Sequence, residues 1–313
     1  MYTIGIDIGG MSIKTGLVDD DGVIIEQVRV KTAKTAVQCI NDMVEQIKFL
    51  LKNHNLRDED IRGIGVGCPG AVERATGRVV FLPNLGWENV PLVDELKKHI
   101  NTEIIISNDA NVAALGEAIY GVAKNYDTSI MFTLGTGVGG GIVIDKKLYE
   151  GGQSRGAELG HITLFADGKP CTCGRRGCIE CYTSATALII QTKEAMLENN
   201  DSLMWKFVGG EIDKVDGRTA FECEKQGDIT AKGVVDKYIE YLGESALNMF
   251  NIFRPDALII GGGISAQGKN LTDKLESYCE RFDYGYKNAP RAKILTAMLG
   301  NDAGIIGAAA LLR

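Results

Sequence analysis

An α/β fold built from two related halves follows from three features of the sequence. A strand, a glycine turn and a second strand open the chain at residues 2–18, and the same pattern returns at residues 129–145. Stretches of helical periodicity alternate with short runs of β-branched residues, the order expected of α/β domains. The 313 residues leave room for one large domain or two, and the repeat favours two with a cleft between them.

Residues 2–8 read as a buried strand, Gly9 and Gly10 as a tight turn, and Ile13–Val18 as a second strand. Asp20-Asp21-Gly22 turns the chain into a third strand, Val23–Val30, so the first half begins as an antiparallel meander. Over residues 36–52, Ile40, Met43, Val44, Ile47, Leu50 and Leu51 fall on one helical face. Arg62–Gly67 is the next strand, ending in Cys68-Pro69-Gly70, and residues 81–90 are expected to form a loop. Glu103–Ile106 is a short strand, and a helix runs from about Asp109 to Tyr120. In the second half, Ser129–Leu134 is a strand, the GTGVGGG of residues 135–141 a turn, and Ile142–Asp145 a strand. One long helix is expected at 182–198, and others at 230–252, 270–282 and 303–312. A strand at Ala257–Ile260 leads into Gly261-Gly262-Gly263. The predicted domains are 1–118, with 300–313 packing back onto it, and 119–299.

Hydrophobic residues at 45% and charged residues at 24% describe an ordinary soluble globular protein. No apolar run approaches the ~20 residues of a membrane-spanning helix, and no membrane partner is expected. The first ten residues lack a basic segment and carry Asp7, so they read as a strand and not as a signal peptide. Cys39 and Cys68 lie in core segments outside any regular disulfide framework, which points to a cytoplasmic location. A net charge of −7 without a basic cluster argues against nucleic acid as a partner.

Chemistry concentrates between Glu158 and Cys181, which hold one of three histidines and four of eight cysteines. Cys171, Cys173 and Cys178 with His161 can form a tetrahedral site of three thiolates and an imidazole. Cys181 is an alternative fourth ligand. Glu158, His161 and Glu180 flank the loop, so a metal there would fix two acids beside an imidazole. The competing account is a stability clip with incidental acids.

Gly135, Gly137 and Gly140 satisfy G-x-G-x-x-G, but a strand follows them where a dinucleotide fold needs a helix. The turn, with Thr136 adding a hydroxyl, is instead read as an anion cradle of backbone N–H groups, against a plain hairpin. Residues 263–270 miss the P-loop pattern because Asn270 stands where Ser or Thr binds magnesium. Gly261–Gly263 are read as letting a flat ligand approach the backbone. Asp7 ends a buried strand beside a turn, where a carboxylate can organise Mg²⁺ near phosphates or simply stabilise the turn. Lys14 is a candidate phosphate contact, against an ordinary solvated lysine. Asn108 and Asp109 close a strand and open a helix, so both are capping residues by type. The helix N-terminus favours an ionised Asp109, a weak base suited to phosphoryl transfer. Asn84 is either a pocket hydrogen-bonder or a turn residue, and Trp87 reads as packing. His54 and His99 are expected to face solvent.

Taken together, DIGG at 7–10, NDANVAALGE at 108–117, LGTGVGGG at 134–141, GAELGH at 156–161 and CTCGRRGCIE at 171–180 resemble the ROK family of sugar kinases and repressors. The resemblance implies an actin-like, hexokinase-like (ribonuclease H-like) pair of α/β domains flanking a cleft. It implies ATP-dependent phosphorylation of a hexose hydroxyl, with glucose at its 6-hydroxyl the preferred acceptor. N-acetylmannosamine, N-acetylglucosamine, fructose or allose are the alternatives. Asp109 matches the family's catalytic base. Asn108, Glu158, His161 and Glu180 match its sugar-binding positions, with Gly70 and Asn84 matching less distinctive ones. Cys171, Cys173 and Cys178 match zinc ligands, and His161 would bind zinc and sugar through one ring nitrogen each. The glycines at 9–10, 135–137 and 261–263 match nucleotide-contacting turns, and ATP, Mg²⁺ and a structural zinc are the implied cofactors. Met11 stands where the family usually has Thr, which removes a hydroxyl from the phosphate turn, and Ser12 is the nearest replacement. The family's repressors carry a helix-turn-helix ahead of the kinase-like part. This acidic chain starts at the first strand, so a sugar-responsive regulator is the less favoured reading. The resemblance also suggests a homodimer.

Overall fold

The computed structural model describes residues 1–285 and 290–313. They divide into two compact units: Met1–Ser129 with Gly141–Ala157 and Met298–Arg313, and Ile130–Gly140 with Glu158–Ala297.

In the first unit, β1 (Tyr2–Ile8), β2 (Ser12–Val18) and β3 (Ile24–Lys31) form the antiparallel meander. Then β4 (Ile61–Cys68) adds parallel to β1 and β8 (Ile104–Asn108) parallel to β4, giving the order β3-β2-β1-β4-β8. Alternation sorts the side chains of β1 between two faces. Ile4, Ile6 and Ile8 enter a core shared with Met43 and Ile47 of α1 (Ala36–Asn53) and with Leu92 and Leu96 of α2 (Leu92–Lys97). Gly5 and Asp7 face the other way, towards α10 (Ala303–Ala310). That helix lies so close that a Cβ on Gly5 would sit 2.0 Å from the Ile305 carbonyl oxygen. A Cβ on Gly65 of β4 would sit 1.7 Å from that of Ala308. On its far side, Gly307 is equally tight against Val112 of α3 (Asp109–Ile119). Only residues without a Cβ allow these backbones to meet.

The second half has a sheet of the same strand order, β11-β10-β9-β12-β13. Its strands are β9 (Ser129–Leu134), β10 (Val138–Ile144), β11 (Lys147–Tyr149), β12 (Ala257–Gly261) and β13 (Lys293–Thr296). In both sheets the chain runs third, second, first, fourth, fifth across the sheet, which is the repeat seen in the sequence. The helices here are α4 (Glu180–Thr183), α5 (Ala185–Glu198), α6 (Leu203–Phe207), α7 (Thr219–Lys225), α8 (Ile229–Phe253) and α9 (Lys269–Phe282).

Four expectations need correction. Residues 81–90 are not a loop. A small antiparallel sheet joins β5 (Ala71–Glu73), β6 (Arg78–Leu82) and β7 (Trp87–Val90), with a tight turn at Pro83–Leu85. Leu82 and Trp87 are buried there, so strand pairing overrides the local Pro, Asn and Gly signals. The GTGVGGG turn is shorter than expected, because β10 begins at Val138. Its Gly140 is small for packing, since a Cβ there would meet Leu159 at 2.4 Å. The long helix at 182–198 is two helices, broken where Ser184 is extended and its Oγ accepts from the Ala187 N–H at 3.0 Å. His54 is half-buried, with Nε2 2.9 Å from Glu26 Oε2, whereas His99 is exposed. No helix among the described residues is long and apolar enough to cross a membrane.

Candidate active site and metal loop

In the first unit, Asn108 ends β8 and caps α3. Its Oδ1 accepts from the N–H groups of Ala110 and Asn111, at 2.9 and 3.3 Å. Its Nδ2 donates to the Gly70 carbonyl at 3.2 Å. Asp109, the first residue of α3, accepts the Ala110 N–H at 2.8 Å through Oδ1. The helix N-terminus thus holds a carboxylate where the macrodipole favours its charge. Burial pushes the Cys68 thiol up, and the nearby Asp109 charge adds to the effect. Gly70, Asn108 and Asp109 are therefore brought together, while Asn84 lies exposed in the Pro83–Leu85 turn.

At the end of β1, Asp7 pairs across the strands with Lys14, whose Nζ lies 3.3 Å from Oδ2. Lys14 also donates to the Asn301 carbonyl at 3.0 Å, so it is neither lone nor merely solvated. The Gly9 N–H donates to the Ser12 carbonyl at 3.0 Å and closes the turn over Gly10. Met11 is 82% exposed, whereas Ser12 is buried.

Two buried glutamates escaped the sequence reading. Glu150 accepts from Ser107 Oγ at 2.5 Å and from Arg74 Nη1 at 3.1 Å, directly behind Asn108. Glu117 accepts three backbone N–H groups. Buried acids are rare without partners, but except for Val122, five residues from Glu117, those partners lie far away in sequence and give no local signal.

In the second unit, the loop after His161 doubles back through bridges between Thr163 and Cys178 and between Pro170 and Arg176. Gly177, at φ 73°, packs so tightly that a Cβ would lie 1.5 Å from the Phe165 carbonyl oxygen. Phe165, Tyr182 and Tyr241 form an edge-to-face triangle with centroids 4.9 to 5.7 Å apart, and Tyr182 Oη accepts the Lys169 N–H at 2.7 Å. The ligand atoms of His161, Cys171, Cys173 and Cys178 gather within 4.8 Å of one another. Tetrahedral zinc with ~2.3 Å bonds to sulfur separates its ligand atoms by roughly 3.8 Å. Cys173 and Cys178 Sγ lie 3.6 Å apart, as do Cys171 Sγ and His161 Nδ1, so the donor set fits. Cys181 instead donates to the Pro170 carbonyl at 3.5 Å, and burial pushes its thiol up to about 11. Burial also pushes Cys178 up to about 12, whereas the Arg175 N–H draws Cys173 down.

Glu180 opens α4, and its Oε2 accepts the Val138 N–H at 2.9 Å while Oε1 lies 3.9 Å from Cys171 Sγ. It presses on Gly137, where a Cβ would come within 2.3 Å of Oε2. Glu158 is exposed and joins His161 through its backbone carbonyl, which accepts the His161 N–H at 3.0 Å. Thr136 is exposed in the turn between β9 and β10, and the Gly135 N–H donates to the Gly137 carbonyl at 3.0 Å. Gly262, at φ 77°, packs on the Leu134 backbone, and Gly261 packs on Met131, so both are small for internal reasons. A Cβ on Gly263 would meet nothing within 4 Å.

Two sheets of one strand order, each opening on a strand–turn–strand, place the chain in the actin-like, hexokinase-like class of α/β proteins, here with an aspartate opening a helix in one unit and a Cys₃His loop in the other. The chain belongs to the ROK family, which it matches over residues 3–313. A glucokinase from Thermotoga maritima is 36% identical over 313 residues, covering 99% of this chain and 96% of its own. The crystal structure of a ROK family glucokinase from Streptomyces griseus in complex with glucose and AMPPNP has 34% identity and a TM-score of 0.81, covering 99% of each chain. A xylose repressor from Caldicellulosiruptor bescii is 29% identical over 99% of this chain and 77% of its own.

Proposed function

We propose that this chain is an ATP-dependent hexose kinase that phosphorylates glucose at its 6-hydroxyl. The observation that carries the reading is the full-length likeness to glucokinases, one of them solved with glucose and AMPPNP. Asp109 accepts the proton of the attacking hydroxyl, and Asn108 orients that hydroxyl. A loose phosphoryl transition state asks mainly for such positioning. Gly70 and Asn84 contribute polar contacts to the sugar. Glu158 and Glu180 accept hydrogen bonds from sugar hydroxyls, and His161 uses Nε2 for the sugar because Nδ1 faces Cys171. Cys171, Cys173, Cys178 and His161 would hold zinc, which when bound supplies a rigid frame for the imidazole and for the neighbouring Glu180.

Asp7 would hold Mg²⁺, which suits one carboxylate plus substrate phosphates, and Lys14 would meet the phosphates themselves. Gly9, Gly10 and Ser12, with Gly135, Thr136, Gly137 and Gly261–Gly263, offer the turns that a nucleotide would meet. Eight unpaired cysteines support a reducing, cytoplasmic setting. A homodimer is the assembly to test by sedimentation. The activity test is ATP consumption over a panel of glucose, N-acetylmannosamine, N-acetylglucosamine, fructose and allose. Turnover highest with glucose is expected. No turnover with any hexose overturns the kinase reading, and a different best sugar overturns the substrate.

A further inference from the structure

Glu117 is fully buried near the end of α3 and has no place in the chemistry above. Its Oε1 accepts the N–H groups of Met298 and Leu299 at 2.8 and 2.7 Å, and its Oε2 accepts that of Val122 at 2.9 Å. Three backbone donors converge on one carboxylate, an arrangement much stronger than three neutral hydrogen bonds. The segment it grips leads directly to the Asp7–Lys14 pair. After Leu299 the chain turns through Gly300–Asp302, and the Asn301 carbonyl accepts from Lys14 Nζ at 3.0 Å. Three residues after Asn301, Gly304 packs on Asp7 so closely that a Cβ would lie 2.6 Å from Cγ. Every one of these residues lies in the first unit.

We propose that Glu117 is a positioning residue for the nucleotide-phosphate end of the site. By pinning Met298 and Leu299 it fixes where the Asn301 carbonyl and Gly304 stand, and these set the places of Lys14 and Asp7. The inference rests on the kinase reading and on phosphates binding at Asp7 and Lys14. If it holds, Glu117 governs use of ATP and not use of sugar, although it touches neither.

The test uses the full chain with Glu117→Met, Glu117→Gln and, in parallel, Lys14→Met, reading KM for MgATP and for glucose, kcat and thermal midpoint. Glu117→Met removes both acceptor oxygens, and with them all three hydrogen bonds, at similar side-chain length. Glu117→Gln keeps one carbonyl oxygen, which can serve Met298 and Leu299 while its amide opposes the Val122 N–H. Glu117→Met is expected to raise KM for MgATP at least about tenfold while KM for glucose stays within about twofold. Glu117→Gln is expected to fall between it and the parent. If Glu117→Met does not fold, the Gln variant decides, with a rise in the MgATP KM and none in the glucose KM as the supporting result. An unchanged KM for MgATP overturns the proposal, as does an equal rise in both KM values. A fall in kcat that only follows the loss of folded protein overturns it too, because that is a structural effect alone. Lys14→Met with an unchanged MgATP KM overturns it from below by removing phosphate from this end. A parent protein that turns over no hexose sinks the kinase reading itself.

Discussion

The Cys₃His loop of the second unit and the carboxylate end of the first are both tightly packed polar clusters, but they are assembled by opposite means. In the loop, four donor atoms from residues 161–178 gather within 4.8 Å, so the geometry is set by spacing along a short piece of chain. In the first unit, Glu150 reaches Ser107, next to Asn108, and Glu117 reaches Met298 and Leu299, on the segment that leads to Gly304 beside Asp7, each from far away in sequence. An ion held by such a local donor set would be lost in one step by chelation. The hydrogen-bonded end depends on no ion and is weakened only by substituting a carboxylate that holds it.

The comparison can be broken first at Asp109. Asp109→Asn is expected to keep glucose binding by calorimetry and to lose about a hundred- to ten-thousand-fold in turnover. Near-normal turnover would show that the base lies elsewhere. A smaller effect is expected behind that residue. Glu150→Ala leaves the buried Ser107 hydroxyl without its acceptor, so a thermal melt should show roughly 1–3 kcal/mol of lost stability. If Glu150→Ala matches the parent in both melt and kcat, the support from behind Asn108 is not real. The smallest effect is expected at the phosphate turn. Met11→Thr restores a hydroxyl at an 82%-exposed position, so the melt should not move. KM for ATP should fall by at most about fivefold, the ~1 kcal/mol of one hydrogen bond. A rise in that KM would mean that the turn does not face phosphate.

The same contrast explains what could be read from the sequence. The Cys₃His group was legible because its ligands are rare residue types at short spacing. The meander of β1, β2 and β3 was legible because alternation survives where one face is buried. Glu117 and Glu150 were invisible as buried residues because, Val122 apart, their partners are remote backbone and side-chain donors. The strand in GTGVGGG was missed for a different reason. Gly140 is glycine because Leu159 presses against it, and close packing leaves the same letters as a turn. At residues 81–90 the turn signals of Pro83 and Gly86 hid two short strands whose buried members, Leu82 and Trp87, stand too far apart to show a period.

The loop's purpose is best tested by measuring glucose affinity calorimetrically on one preparation before and after chelation, with zinc content and the thermal midpoint followed on the same samples. The expected result is about one zinc per chain at the start, then a loss of glucose binding of tenfold or more on its removal, while the protein stays folded and zinc restores it. Unchanged glucose affinity with the zinc gone would mean that the Cys₃His loop is only a clip and that sugar is held without it.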